Sequence, residues 1–216
     1  MRLSQLEFCA LLTYAPRGDS QEIRFSKDVM LHLKKDAYLE DPPILMSQWV
    51  AETIKKELAT LEFASFFHAN ITLIPIPKSS LMRPDTLWVP ERIAKALVSK
   101  GLGKEVLSCL SRRTPIRKAA RSSPNMRPRP AEHYESMGVQ AGLSPPDEIL
   151  LIDDIVTCGA TLLGAANRLA DAFPQTRIRA FSVMRTISDP NDFIKLYDPC
   201  KGTITLRSAG DTIRRP

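Results

Sequence analysis

The sequence predicts an α/β domain, a mainly parallel sheet flanked by helices on both faces, and three observations carry that prediction. Apolar runs such as Ile149-Leu150-Leu151-Ile152 are continuous rather than alternating, as in strands covered on both sides. From Glu148 to Met184 a strand pattern, a helix pattern and a second strand pattern follow one another, which makes a right-handed βαβ unit with parallel strands. The chain has 216 residues, a length that fits one domain with a core of ordinary size. Hydrophobic residues at 44% and charged residues at 25% exclude a disordered chain.

Phe8 to Tyr14 reads as the first strand. Ile44 to Leu61 carries Leu45, Trp49, Val50, Ile54 and Leu58 at helical spacing. Ile71 to Pro77 is β-branched and closed by prolines, so a strand there runs out into a loop. Val89 to Leu97, with Pro90 at its start, is the next helix. Glu148 to Asp154 is an apolar strand ending in two acids, Thr161 to Ala172 a helix, and Arg177 to Met184 a strand. Thr203 to Leu206 alternates weakly and suits an edge strand. In such sheets ligands bind beyond the carboxyl ends of the strands, where the loops after Pro77 and Ile152 lie.

The formal net charge of +6 is local. Val106 to Ala131 contains no acid and seven basic residues, Arg112, Arg113, Arg117, Lys118, Arg121, Arg127 and Arg129, leaving the remainder at −1. With its prolines and serines, 112–130 is expected to be a long mobile loop. It holds no Phe, Tyr or Trp, so it lacks the stacking rings of a single-strand nucleic-acid surface. Cys9, Cys109, Cys158 and Cys200 form no CxxC pair and are expected to be free thiols in a cytoplasmic protein. The apolar run Phe8 to Leu12 is too short for a signal sequence or a membrane span. His32, His68 and His133 show no metal-ligand spacing.

The most informative stretch is Asp153-Asp154-Ile155-Val156-Thr157-Cys158-Gly159-Ala160-Thr161. Two carboxylates at a strand end offer acceptors to sugar hydroxyls. The small residues that follow open a helix, whose unpaired N–H groups and dipole make a phosphate cradle. Gly159 admits close backbone approach, and Thr157 and Thr161 add hydroxyl donors. One ligand with both a diol and a phosphate, a ribose 5-phosphate, fits the combination. An ATPase strand with an acid pair is a competing reading, but no Gly-x-x-x-x-Gly-Lys-[Ser/Thr] occurs, and Gly159 and Gly164 are followed by Ala165. The plain alternative is a pair of acids that merely caps the following helix. Cys158, beside the cradle, reads first as a small residue that simply fits there; the sharper alternative is a thiol whose pKa the nearby N–H donors lower.

This run resembles the phosphoribosyl-pyrophosphate (PRPP) motif of type I phosphoribosyltransferases, and within them it is most similar to the competence-protein ComF-like branch. A second stretch, Leu73-Ile74-Pro75-Ile76-Pro77-Lys78-Ser79-Ser80, resembles that family's pyrophosphate loop. The resemblance covers about Ile71 to Thr186 and implies a single phosphoribosyltransferase-like domain over 1–216. Segments 1–43 and 187–216 would then be a small hood or peripheral pieces. Asp153 and Asp154 would hold the ribose hydroxyls, and Thr157, Cys158, Gly159, Ala160 and Thr161 the 5-phosphate. Lys78, Ser79 and Ser80 would bind pyrophosphate, with Mg2+ held mainly by PRPP itself. Arg112, Arg113 and Arg117 would close from the basic loop onto the leaving group, where preorganised cations act best. The chain departs from the family in three places. It has no CxxC zinc ribbon, Thr157 stands where purine-type enzymes carry an acid, and the pyrophosphate-loop arginine is matched only loosely by Lys78 or Arg83.

The implied activity is transfer of a 5-phosphoribosyl group to a small nitrogenous acceptor, with a homodimer allowed. The alternative is a PRPP or nucleotide sensor on the same fold, gripping nucleic acid or a protein through 112–130. Fold alone does not decide between them.

Overall fold

The computed structural model describes residues 2–41, 43–83, 85–117 and 126–216. Seven strands form the central sheet: β1 (Gln5–Tyr14), β4 (Thr72–Pro75), β5 (Glu105–Val106), β8 (Glu148–Val156), β9 (Arg177–Thr186), β10 (Tyr197–Leu206) and β11 (Thr212–Arg215). Their order is β11-β10-β1-β9-β8-β4-β5. The five from β1 to β5 in that order pair in parallel, while β10 and β11 add antiparallel at the opposite edge. Four helices accompany them: α1 (Gln21–Lys35), α2 (Met46–Glu57), α3 (Val89–Ser99) and α5 (Ala160–Ala172), with a short α4 (Pro130–Ser136). Two small ribbons complete the chain, β2 (Tyr38–Glu40) with β3 (Pro43–Leu45) and β6 (Leu110–Arg112) with β7 (Met137–Val139).

The continuous apolar run of β8 has the cause the sequence suggests. Leu150 and Ile152 face one core with α2 and α3 residues such as Val50, Ile54, Ile93 and Leu97. Ile149 and Leu151 face a second core with Leu162, Leu163, Ala166 and Leu169 of α5. Period-two side chains therefore meet apolar layers on both faces. No helix among the described residues is long and apolar enough to cross a membrane.

Several local readings are corrected. The helix expected from Ile44 begins at Met46, because Pro43–Leu45 pairs with Tyr38–Glu40. Thr203–Leu206 belongs to a ten-residue strand that is not at the edge, since Thr212–Arg215 pairs outside it. Segments 1–43 and 187–216 are not peripheral throughout: β1 lies inside the sheet between β9 and β10, and β10 and β11 extend it. Arg112 ends a strand, and Arg127 to Arg129 lead into α4. Lys118, Arg121, Ser122 and Ser123 lie outside the described residues.

Candidate functional site

β8 runs on through the acid pair to Val156, so Asp153 and Asp154 stand on a strand that has passed its pairing with β4. Their carboxylates turn back on the backbone: Asp154 N–H donates to Asp153 Oδ1 at 2.9 Å, and Ile155 N–H to Asp154 Oδ1 at 2.7 Å. Burial, with the Asp154 charge beside it, pushes the Asp153 carboxyl well above the usual carboxylate range. Lys34, from the last turn of α1, reaches Asp154 Oδ2 at 3.4 Å.

The cradle follows directly. Gly159 is the N-cap of α5 with φ 86° and ψ 8°, and no side chain caps the helix. The first helical bond runs from Leu163 N–H to the Gly159 carbonyl at 2.9 Å, so the N–H groups of Ala160, Thr161 and Leu162 precede it. The loop is braced from below. Arg214 of β11 donates from Nε to the Thr157 carbonyl at 2.8 Å and from Nη2 to the Thr186 carbonyl at 2.6 Å. Burial, aided by Arg185, lowers the Arg214 pKa to about 10. Asp153 and the whole run from Thr157 to Thr161 line one cavity of about 170 Å³.

A second cavity, about 470 Å³, shares Lys34, His133, Asp153, Ile155 and Thr161 with the first and adds Lys78, Ser79, Ser80, Arg112, Arg117 and Asp154. The two loops expected at the strand ends thus meet around the acid pair. The start of the basic segment is tied to the proline-closed loop: Ile116 N–H donates to the Ser79 carbonyl at 2.8 Å, and Arg112 Nε to the Lys78 carbonyl at 3.1 Å. Arg112 is buried, its Nη1 donates to Ser136 Oγ at 2.5 Å, and desolvation lowers its pKa to about 10 against the pull of Asp153. It forms part of the cleft wall, held between the Lys78 carbonyl and Ser136.

Arg113 does not join the cleft. It is exposed, and its guanidinium lies over Gly138, where a Cβ would come within 2.0 Å of Arg113 Nε. β6 ends at Arg112, and Arg113 follows it with its side chain exposed. Arg117 lines the cleft with its charge shared by Glu132 at 3.8 Å. Arg112→Ala is therefore expected to weaken pyrophosphate binding by about tenfold, the scale of a buried charged contact, and Arg113→Ala by less than about twofold. Calorimetric titration of pyrophosphate into each variant checks both.

His133 is the residue that sequence reasoning set aside. It is 4% exposed on α4, lines both cavities, and places Nε2 3.3 Å from Thr161 Oγ1. Burial, with Arg112 nearby, lowers its pKa to about 3, so the ring is neutral. The signal available was Pro130 at a helix start with Glu132 three residues after Arg129, which puts His133 on a helix. Gly164 admits that helix: a Cβ there would meet His133 Cβ and the Pro130 carbonyl, each at 2.6 Å. A histidine with a lowered folded pKa stabilises above its unfolded value near 6.5 and loses that contribution as pH falls toward about 3. His133→Gln is expected to lose less stability than the wild type between pH 6.5 and pH 4, read by urea denaturation at both.

Tyr134 points away from the cleft, donating to Asp171 at 2.5 Å. Cys158 is half-buried on the cradle wall, whereas Cys9, Cys109 and Cys200 are buried. Saturating PRPP is expected to slow alkylation of Cys158 by iodoacetamide, followed by mass spectrometry. Equal labelling with and without ligand would remove Cys158 from the cradle.

No family model matches the chain, and none of the curated proteins matches it. Among solved structures it is similar to a hypoxanthine phosphoribosyltransferase from Staphylococcus aureus in two crystal forms. The tetragonal form is 13% identical over 70% of each chain, with a TM-score of 0.33. The orthorhombic form is 12% identical over 78% of each chain, with a TM-score of 0.34. At that level the site assignments stand on the cleft's own geometry.

Proposed function

We propose that the chain is a PRPP-dependent phosphoribosyltransferase with the motif of the ComF-like branch. The observation that carries this is the pair of adjoining cavities, with Asp153 in both, that brings together an acid pair, an uncapped helix start and the Lys78–Ser80 loop. That order of groups complements a ribose diol flanked by a 5-phosphate and a 1-pyrophosphate. Asp153 and Asp154 accept from the ribose hydroxyls, and the N–H groups around Gly159, with Thr157 and Thr161, hold the 5-phosphate. Lys78, Ser79 and Arg112 face the pyrophosphate. A nitrogen lone pair attacks C1, the bond from C1 to the pyrophosphate oxygen breaks, and its electron pair leaves with pyrophosphate. The protein positions the reactants and stabilises the separating charge.

Mg2+ suits the donor set, because two adjacent carboxylates that repel one another provide hard oxygen ligands and leave most of the coordination to phosphates. Asp153 and Asp154 are the residues that would share it, and the ion would offset charge on the leaving pyrophosphate.

A second reading, a PRPP sensor that does not turn over, is favoured by one feature: of the three arginines expected to close on the leaving group, Arg113 faces away and Arg117 is shared with Glu132. Titrating PRPP with and without Mg2+, then measuring pyrophosphate release across a panel of bases, separates the two. Release with one acceptor establishes the enzyme, and binding without release establishes the sensor. Binding unaffected by joint Asp153→Asn and Asp154→Asn substitution overturns both.

A further inference from the structure

The basic segment does not all gather at the pyrophosphate end. Arg112 and Arg117 stand beside the Lys78 loop, but Arg127 lines the cradle cavity at the start of α5. Beyond it is another cavity, of about 390 Å³, which shares Arg127, Pro128, Cys158 and Ala160 with the cradle. The rest of its wall includes Arg129 and Pro130, Arg207 and Asp211 of the β10–β11 turn, and Thr212 at the start of β11. Three arginines thus face one carboxylate. Arg207 already satisfies that carboxylate, with Nε 2.9 Å from Asp211 Oδ1, and holds the Asp211 carboxyl below its ordinary range. Arg129 adds a weaker pull on the same carboxylate, so three guanidinium groups stand against one carboxylate and the cavity keeps a surplus of positive charge.

Two further groups have nothing to bond among the described residues. Thr212 is 6% exposed and its Oγ1 has no partner; Arg127 Nε is likewise buried and unpartnered. Buried donors are ordinarily paired, and a cationic cavity with spare donors is complementary to an anion. Its common wall with the cradle places such an anion next to a phosphate held at the start of α5. A phosphate bound there through N–H groups keeps an oxygen available for esterification.

We propose that this cavity receives a second phosphate, joined to the 5-phosphate of the ribosyl ligand. The ligand class is then a ribose carrying a 5-diphosphate ester, the dinucleotide type, in addition to the simple 5-phosphate. The inference rests on the phosphoribosyl reading of the cleft.

Ribose 5-phosphate and ADP-ribose differ only beyond the 5-phosphate, so calorimetric titration of both tests the cavity directly. ADP-ribose is expected to bind about tenfold more tightly, the scale of one charge-assisted phosphate contact. Arg129→Ala is expected to abolish that advantage and Thr212→Val, which keeps shape, to reduce it, each leaving ribose 5-phosphate affinity within about twofold. An advantage untouched by either variant assigns it to the adenosine and overturns the inference. Equal affinities overturn it too. If inorganic phosphate then binds protein saturated with ribose 5-phosphate, and loses that binding in Arg129→Ala, the cavity holds a separate anion. Ribose 5-phosphate binding that depends on Asp153, without an ADP-ribose advantage, leaves the phosphoribosyl reading standing. Failure of ribose 5-phosphate to bind removes both.

Discussion

Asp153→Asn is expected to weaken PRPP binding by roughly 10- to 100-fold while raising the midpoint of thermal unfolding at pH 7, the binding loss being that of one or two hydrogen bonds to a charged acceptor. The two effects have one cause. Burial and the charge of Asp154 raise the Asp153 carboxyl in the folded protein. An acid whose folded pKa lies above its unfolded value near 3.8 contributes stability that is complete below that value and is lost as pH rises through the folded pKa. At neutral pH the Asp153 charge therefore works against the fold, and a neutral amide of the same shape relieves it. The amide oxygen still accepts from Asp154 N–H, so the backbone turn survives. A rise of a few degrees is the expected scale, since each kcal/mol moves the midpoint of a domain this size by about 2–4 °C.

Asp154→Asn separates this account from simple damage to the loop. Asp154 pairs with Lys34 near the surface, and exposed ion pairs contribute about 0–1 kcal/mol. Neutralising it loses the Lys34 pair but also removes the charge that helps to raise Asp153, so it is expected to weaken PRPP binding with a smaller rise in the midpoint than Asp153→Asn gives. Scanning calorimetry with ligand titration reads both variants. A lowered midpoint with unchanged PRPP affinity in Asp153→Asn would show a structural acid, as in the helix-capping reading of the pair.

The contrast also marks what the chain discloses before it is folded. Asp153 to Thr161 is contiguous, so its chemistry is legible as a string, and the prolines after Ile74 announce the facing loop. β8, β9, α3 and α5 are legible because continuous apolar runs or clear helical stripes specify them. α1 is harder to read, since only Ile23, Ser26 and Leu33 of its fifteen residues are buried, leaving a thin apolar stripe. β5, β6 and β7 are two or three residues long and exist only through their partners. Lys34 and His133 reach the cleft, and Arg214 the loop beneath it, from elements with no motif, brought there by topology alone. Arg112 and Arg113 show the limit most sharply, because the same residue type is buried at the end of β6, a strand too short to recognise, and exposed one position beyond it.

Gly159→Ala tests the cradle itself, and a loss of roughly 2–5 kcal/mol is expected from two separable costs. The first is conformational: φ is 86°, a left-handed geometry that costs an L-residue with a Cβ roughly 1–2 kcal/mol. The second is steric, since a Cβ at this position would lie 2.6–2.7 Å from three atoms of Ile204, which is fully buried in β10. Overpacking of this kind costs about 1–3 kcal/mol. The added methyl has no room to move toward the sheet, so the loop itself must shift, carrying the N–H groups of Ala160 and Thr161 out of register with a bound phosphate. PRPP affinity is expected to fall by about tenfold or more, the effect of losing one charge-assisted hydrogen bond. Ile204→Ala apportions the two costs. Alone it leaves a core cavity and is expected to cost about 2–5 kcal/mol. Combined with Gly159→Ala it removes the clash but not the φ penalty, so the double variant should be more stable than the sum of the singles by about 1–3 kcal/mol. Strict additivity in urea denaturation would show that the methyl never meets Ile204, and that the glycine is required for its φ alone.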